Sequence, residues 1–143
     1  MTATPNVGYH FVSWTGGSTV NPRTDALVTA NISVTATFAI NTFLLTYTAG
    51  AGGSITGATP QTVNYNTNGT AVTATPNVGY SFVSWTGGST VNPRTDSNVT
   101  ANISVTATFA INTFLLTYTA GANGVITGAT PQTVNYNTNG TAV

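Results

Sequence analysis

Ile103, Val105, Ala107, Phe109 and Ile111 alternate with Ser104, Thr106, Thr108 and Ala110. A period of two places the apolar set on one face of a strand and the smaller polar set on the other, which marks a half-buried strand with one wet face. Upstream, Thr42–Thr48 is a first strand, followed across a Gly-rich hairpin turn by Gly53–Thr56. Gln61–Tyr65 follows Pro60, and Asn68-Gly69 predicts a type I′ turn, whose central residues both need positive φ. Thr70–Thr75 then runs to Pro76, which cannot continue a ladder. After a turn at Asn77–Gly79 comes Tyr80–Trp85, where strict alternation puts Tyr80 and Phe82 opposite Val83 and Trp85. Thr86–Ser89 and Val91–Ser97 form a polar loop, with a helical turn expected at Asp96–Asn102. No stretch of ten residues carries a 3.6-residue period. The expected fold class is all-β, with five or six short strands per unit in a small β-sandwich or curled sheet.

The pattern occurs twice. The opening MTATPNVGYHFVSW returns 71 residues later as VTATPNVGYSFVSW. Residues 1–72 and 72–143 differ at six positions: Met1/Val72, His10/Ser81, Ala26/Ser97, Leu27/Asn98, Gly52/Asn123 and Ser54/Val125. A fixed period of this kind signals tandem modules. Boundaries near Asn41 and Asn112 divide the chain into residues 1–41, the later strands of a module; 42–112, a whole module; and 113–143, the earlier strands of another. Ile40-Asn41 is too short and too stiff for a flexible linker, so successive modules should be rigidly coupled, as in a rod.

Charge is nearly absent: Arg23, Asp25, Arg94 and Asp96 are the only Lys, Arg, Asp or Glu residues. No basic surface exists to neutralise phosphates, which disfavours nucleic acid as a partner. No cationic amphipathic helix or bilayer-length apolar run suggests a membrane partner. Cysteine and lysine are both missing, so disulfides, thiolate metal sites and Lys–Asn cross-links are excluded. One carboxylate per copy is too few for a Ca²⁺ cage, and no cofactor is expected.

Three segments carry a resemblance. They are Gly69-Thr-Ala-Val-Thr-Ala-Thr-Pro76, Gly79-Tyr-Ser-Phe-Val-Ser-Trp85 and Ile103-Ser-Val-Thr-Ala-Thr-Phe109. Together they resemble the divergent form of the Listeria internalin-B-type B-repeat, around the whole 71-residue period. The resemblance implies tandem modules in secreted or surface-anchored bacterial proteins, acting as stalks or adhesive segments, with no catalytic residues. The loop Thr86-Gly87-Gly88-Ser89 departs from the charged loop common in that family.

Candidate chemistry is sparse. His10 is matched by Ser81 in the other copy and has no evident orienting partner, so a nucleophilic triad is not expected. Arg23 with Asp25, and Arg94 with Asp96, read as a loop clamp beside Pro22 and Pro93. Tyr9, Trp14, Tyr80 and Trp85 could stack a sugar, Tyr80 and Trp85 foremost; the competing reading is core packing. Thr-x-Thr pairs such as Thr106/Thr108 raise ice binding, a weaker alternative.

The leading expectation is assembly. Neither partial module can bury its apolar face or pair its edge alone, and the two are complementary: Val143 followed by Thr2 restores GTAVTATPN. The partner is therefore expected to be the chain itself, joined head to tail as an extracellular filament or stalk by exchange of strands. The head surface would comprise Thr2, Ala3, Thr4, Tyr9, Phe11, Val12, Trp14 and Phe38. The tail surface would comprise Phe114, Leu116, Tyr118, Val134, Tyr136, Ala142 and Val143.

Overall fold

A computed structural model describes residues 1–143 and is all-β, with ten strands and no helix. They are β1 (Tyr9–Trp14), β2 (Ala36–Ile40), β3 (Thr42–Ala49), β4 (Gly53–Thr56) and β5 (Gln61–Asn64). β6 (Thr73–Pro76), β7 (Tyr80–Trp85), β8 (Ile103–Ile111), β9 (Thr113–Leu116) and β10 (Gln132–Asn135) complete the order. The six strands β3–β8 build a four-stranded sheet of order β5-β3-β8-β7 and a two-stranded sheet of β4 and β6. β1–β2 and β9–β10 are separate two-stranded sheets that repeat the β7–β8 and β3–β5 pairings.

The chain forms two compact units that alternate along the sequence. The first comprises Met1–Thr46, Pro60–Thr70 and Thr95–Ile103. In it β1 pairs antiparallel with β2, and the start of β3 pairs with β5 from Thr42↔Asn64 to Leu45↔Gln61. Its buried apolar residues are Ala3, Trp14, Leu45 and Val99. The second comprises Tyr47–Thr59, Ala71–Arg94 and Ser104–Val143. Here the buried apolar residues are Tyr47, Val72, Ala74, Trp85, Val105 and Ala107. The Tyr47 and Trp85 rings meet edge to face at 6.2 Å, and Phe82 adds rings at 5.7 Å to Trp85 and 6.0 Å to Phe109. Such rings supply the large apolar area that a 71-residue repeat needs, because small domains bury proportionately little surface.

β8 follows its alternation, with Val105 and Ala107 buried and the Ser and Thr positions exposed. β7 does not. A bulge between Phe82 and Ser84 leaves Val83 out of register with β8, so Phe82 and Trp85 lie on one side. The expected opposition of Phe82 and Trp85 is therefore corrected: the extra residue of a bulge resets the period of two. β1 repeats the bulge between Phe11 and Ser13, bringing Phe11 to 5.6 Å from Trp14.

Three other local expectations change. Residues 50–52 do not close a hairpin, because β4 pairs with β6 while β3 pairs with β5 and β8. Asn66 takes the left-handed conformation, with φ 60, while neither Asn68 nor Gly69 does, so the turn is not type I′. The Gln61 side chain instead accepts from Thr70 N at 2.8 Å and donates to Thr70 O at 2.9 Å, acting as a neighbouring strand would. Asp96–Asn102 is not helical: Gly69 N donates to Asp96 O, and Val99 bridges Thr67. Those backbone groups are committed across the loop and cannot close a helical turn. Pro76 stands as the last residue of β6, opposite Gly53, a strand-end position that proline tolerates.

Candidate functional site

One feature that recurs with the same geometry in both units is the joint between successive repeats. β2 passes into β3 through Asn41 alone, and β8 into β9 through Asn112 alone. Asn41 N donates to Gly8 O at 2.8 Å, and Tyr65 N donates to Asn41 O at 2.7 Å. Asn112 N donates to Gly79 O, and Tyr136 N to Asn112 O, at the same distances. Each tyrosine ring packs against a glycine: a Cβ on Gly8 would stand 2.2 Å from Tyr65, and one on Gly79 would stand 2.1 Å from Tyr136. Both glycines have φ +81, which other residues adopt only with strain. Phe43 and Phe114 back the tyrosines at 6.4 and 6.5 Å.

His10 and Ser81 perform one task at this joint. His10 Nδ1 lies 2.8 Å from Asn41 Oδ1, and Ser81 Oγ donates to Asn112 Oδ1. Either residue can hold the asparagine side chain, so the difference between copies is a structural exchange.

Sequence reasoning missed the side chains that stand in for strands. Asn21 and Asn92 each bracket an alanine, accepting from its N–H and donating to its carbonyl. Ala3 is held at 2.9 and 2.7 Å, and Ala74 at 2.9 and 2.8 Å. Gln132 brackets Thr141 as Gln61 brackets Thr70. Asn in a turn-rich segment has no local signature for such a role, because the bracketed residue lies 18 positions away. Every buried side-chain nitrogen and oxygen is partnered.

The head and tail residues fall into two classes. Ala3 and Trp14 are buried within the first unit, and the Trp14 indole donates to Val20 O at 3.0 Å. Thr2, Thr4, Tyr9, Val12 and Phe38 are exposed, and Phe11 is half-buried. Phe114, Tyr136, Ala142 and Val143 are exposed, while Leu116, Tyr118 and Val134 are half-buried. Their counterparts differ sharply: Val72 is fully buried where Val143 is 44 % exposed, and Leu45 is fully buried where Leu116 is not.

Trp85 is 1 % exposed and its indole donates to Val91 O, so the sugar platform of Tyr80 and Trp85 is corrected: the larger ring belongs to the core. Arg23 makes a bidentate pair with Asp25, Nη2 standing 2.6 Å from Oδ1, and the pair holds the Asp25 carboxyl below the usual carboxylate range. Arg94 lies over the Trp85 ring, 5.9 Å from its centroid. Thr hydroxyls meet one another, Thr48 with Thr106 at 2.7 Å and Thr56 with Thr75 at 3.3 Å. No cluster of three or more His, Asp or Glu side chains is suited to a metal ion, and no helix is long and apolar enough to cross a membrane.

Comparison with curated proteins and with solved structures gave no match. The model of the divergent InlB B-repeat domain matches residues 1–42 and again residues 43–113, well over half of the chain. Two consecutive matches that meet at the Asn41–Phe43 joint, on an all-β repeat, place this chain in the divergent InlB B-repeat family.

Proposed function

We propose that the chain is a structural segment of an extracellular bacterial stalk or filament. Repeats stack head to tail, and each completes its fold with strands from its neighbour. The reading is supported by one contrast within a single sequence. β8 runs nine residues with β3 beside it, whereas its counterpart β2 runs five and has only β1 as partner. Ile32–Thr35, equal in type to the strand residues Ile103–Thr106, are not in a strand. In β9 the strand stops at Leu116, while its counterpart β3 continues to Ala49.

Strand exchange of this kind pairs backbone groups and buries apolar side chains at once. Because the two edges are different surfaces, the contact is heterologous and extends instead of closing. Membership in the divergent InlB B-repeat family supports cell-surface display. Glycan binding has no such support, since the tryptophans proposed to carry it are buried.

Negative-stain electron microscopy of the purified chain tests the proposal. Fibres that lengthen with protein concentration are expected. Uniform small particles at every concentration would contradict assembly between chains.

A further inference from the structure

In the second unit, a cavity of about 480 Å³ opens along Ala129–Thr141, lined by Gln132, Val134, Thr138 and Asn139 among others. The corresponding residues near Gln61–Thr70 are covered by the loop Arg94–Val99. Gly69 N donates to Asp96 O at 2.9 Å, and Asn98 N donates to Asn68 Oδ1 at 2.9 Å. Val99 N donates to Thr67 O at 3.0 Å, and Asn66 N donates to Val99 O at 2.7 Å. This covering leaves Val99 2 % exposed.

The backbone of the open groove already has the covered form. Asn137 has φ 57 where Asn66 has φ 60, and Gln132 holds Thr141 as Gln61 holds Thr70. The chain carries a second version of the covering loop at Arg23–Val28. Its backbone is also preset, with Leu27 at φ 51 where Asn98 has φ 50. Val28 is 56 % exposed and Leu27 is 97 % exposed.

Resting on the head-to-tail reading above, we infer that the groove along Ala129–Thr141 is the seat of the Arg23–Val28 loop of a second copy of this chain. Gly140 N donates to the Asp25 carbonyl, the Asn139 side chain accepts from Leu27 N, and Val28 bridges Thr138. Each contact copies one already made in the covered repeat. Every one is a main-chain contact of the loop, so the exchanges of Ser97 for Ala26 and Asn98 for Leu27 leave the set intact. Both surfaces are preorganised, so seating costs little conformational entropy.

Cysteine cross-linking tests the seat, because the natural chain has no cysteine. Opposed residues of an antiparallel bridge stand about 4.5–5.5 Å apart at Cα, within reach of a disulfide. Val28 and Thr138 are exposed, so neither substitution threatens the fold. A chain carrying both Val28→Cys and Thr138→Cys should oxidise to a ladder of multiples of 14.5 kDa on a non-reducing denaturing gel. Mixed single variants should give dimers well in excess of either alone. Large particles by light scattering without a ladder would overturn the seat while leaving stacking in place. A chain that stays monomeric at every concentration, open or internally cross-linked, would remove both.

Discussion

At the scale of the residue, glycine, asparagine and the buried aromatics decide most of the outcome. Trp85→Ala removes the largest fully buried side chain and should cost about 3–5 kcal/mol in a denaturant titration, a large share of a small domain's stability. Gly79→Ala combines a left-handed φ with a clash against the Tyr136 ring, so a loss of at least ~1 kcal/mol is expected. Gly121→Ala, with open space at its Cβ and no positive φ, is the control and should be neutral. If repeats stack as proposed, the exchange of Gly52 for Asn123 opposes it. A Cβ at Gly52 would stand 2.4 Å from the Tyr80 ring, so Asn123 should press on Tyr9 of a following copy. Asn123→Gly should tighten association roughly fivefold, equivalent to ~1 kcal/mol, by sedimentation equilibrium. The Arg23–Asp25 pair sets an acid response. Because the folded Asp25 value is depressed, its contribution is present above the ordinary aspartate pKa and is lost as pH falls through the lower folded value. Carboxyl NMR should find Asp25 titrating below the usual range, and Arg23→Gln should abolish that displacement.

At the scale of the element, sequence carried far where structure is local. The bounds of β4, β7 and β8 were legible from alternation and turn residues, because those signals lie within the strand itself. The bulges at Val12 and Val83 were not, since a bulge is defined by the opposing strand. Asn68-Gly69 has a strong local preference for a tight turn, yet Gln61 and the 94–99 loop give those backbone groups non-local partners. Of the candidate site, the short connection at Asn41 was readable. The tyrosine lids on Gly8 and Gly79 were not, because 57 residues separate each ring from its glycine. Strand length gives a prediction at this scale. In dilute protein, amides of Ile32, Ser33 and Val34 and of Thr117, Thr119 and Ala120 should exchange quickly, while those of β8 are protected. Under assembling conditions the two fast segments should gain protection together; unchanged exchange in either would argue against completion by strands.

At the scale of the whole molecule, the near absence of charge bears on the proposed association. Four Arg and Asp side chains in 143 residues leave little for electrostatic steering, so the proposal requires backbone pairing and apolar burial to carry it. Raising salt from about 0.05 M to about 1 M should therefore not dissolve the assemblies, whereas screened charge contacts would weaken over that range. Sulfate should strengthen them, as expected for burial of apolar surface. The central proposal is that the second edges of β2 and β9, each of which has one partner strand here, are closed by a neighbouring copy, and the most direct measurement is molar mass against concentration by multi-angle light scattering. The account predicts mass rising continuously from 14.5 kDa without settling at a closed oligomer. A value fixed at 14.5 kDa across the whole range, or a plateau at a dimer, would contradict it.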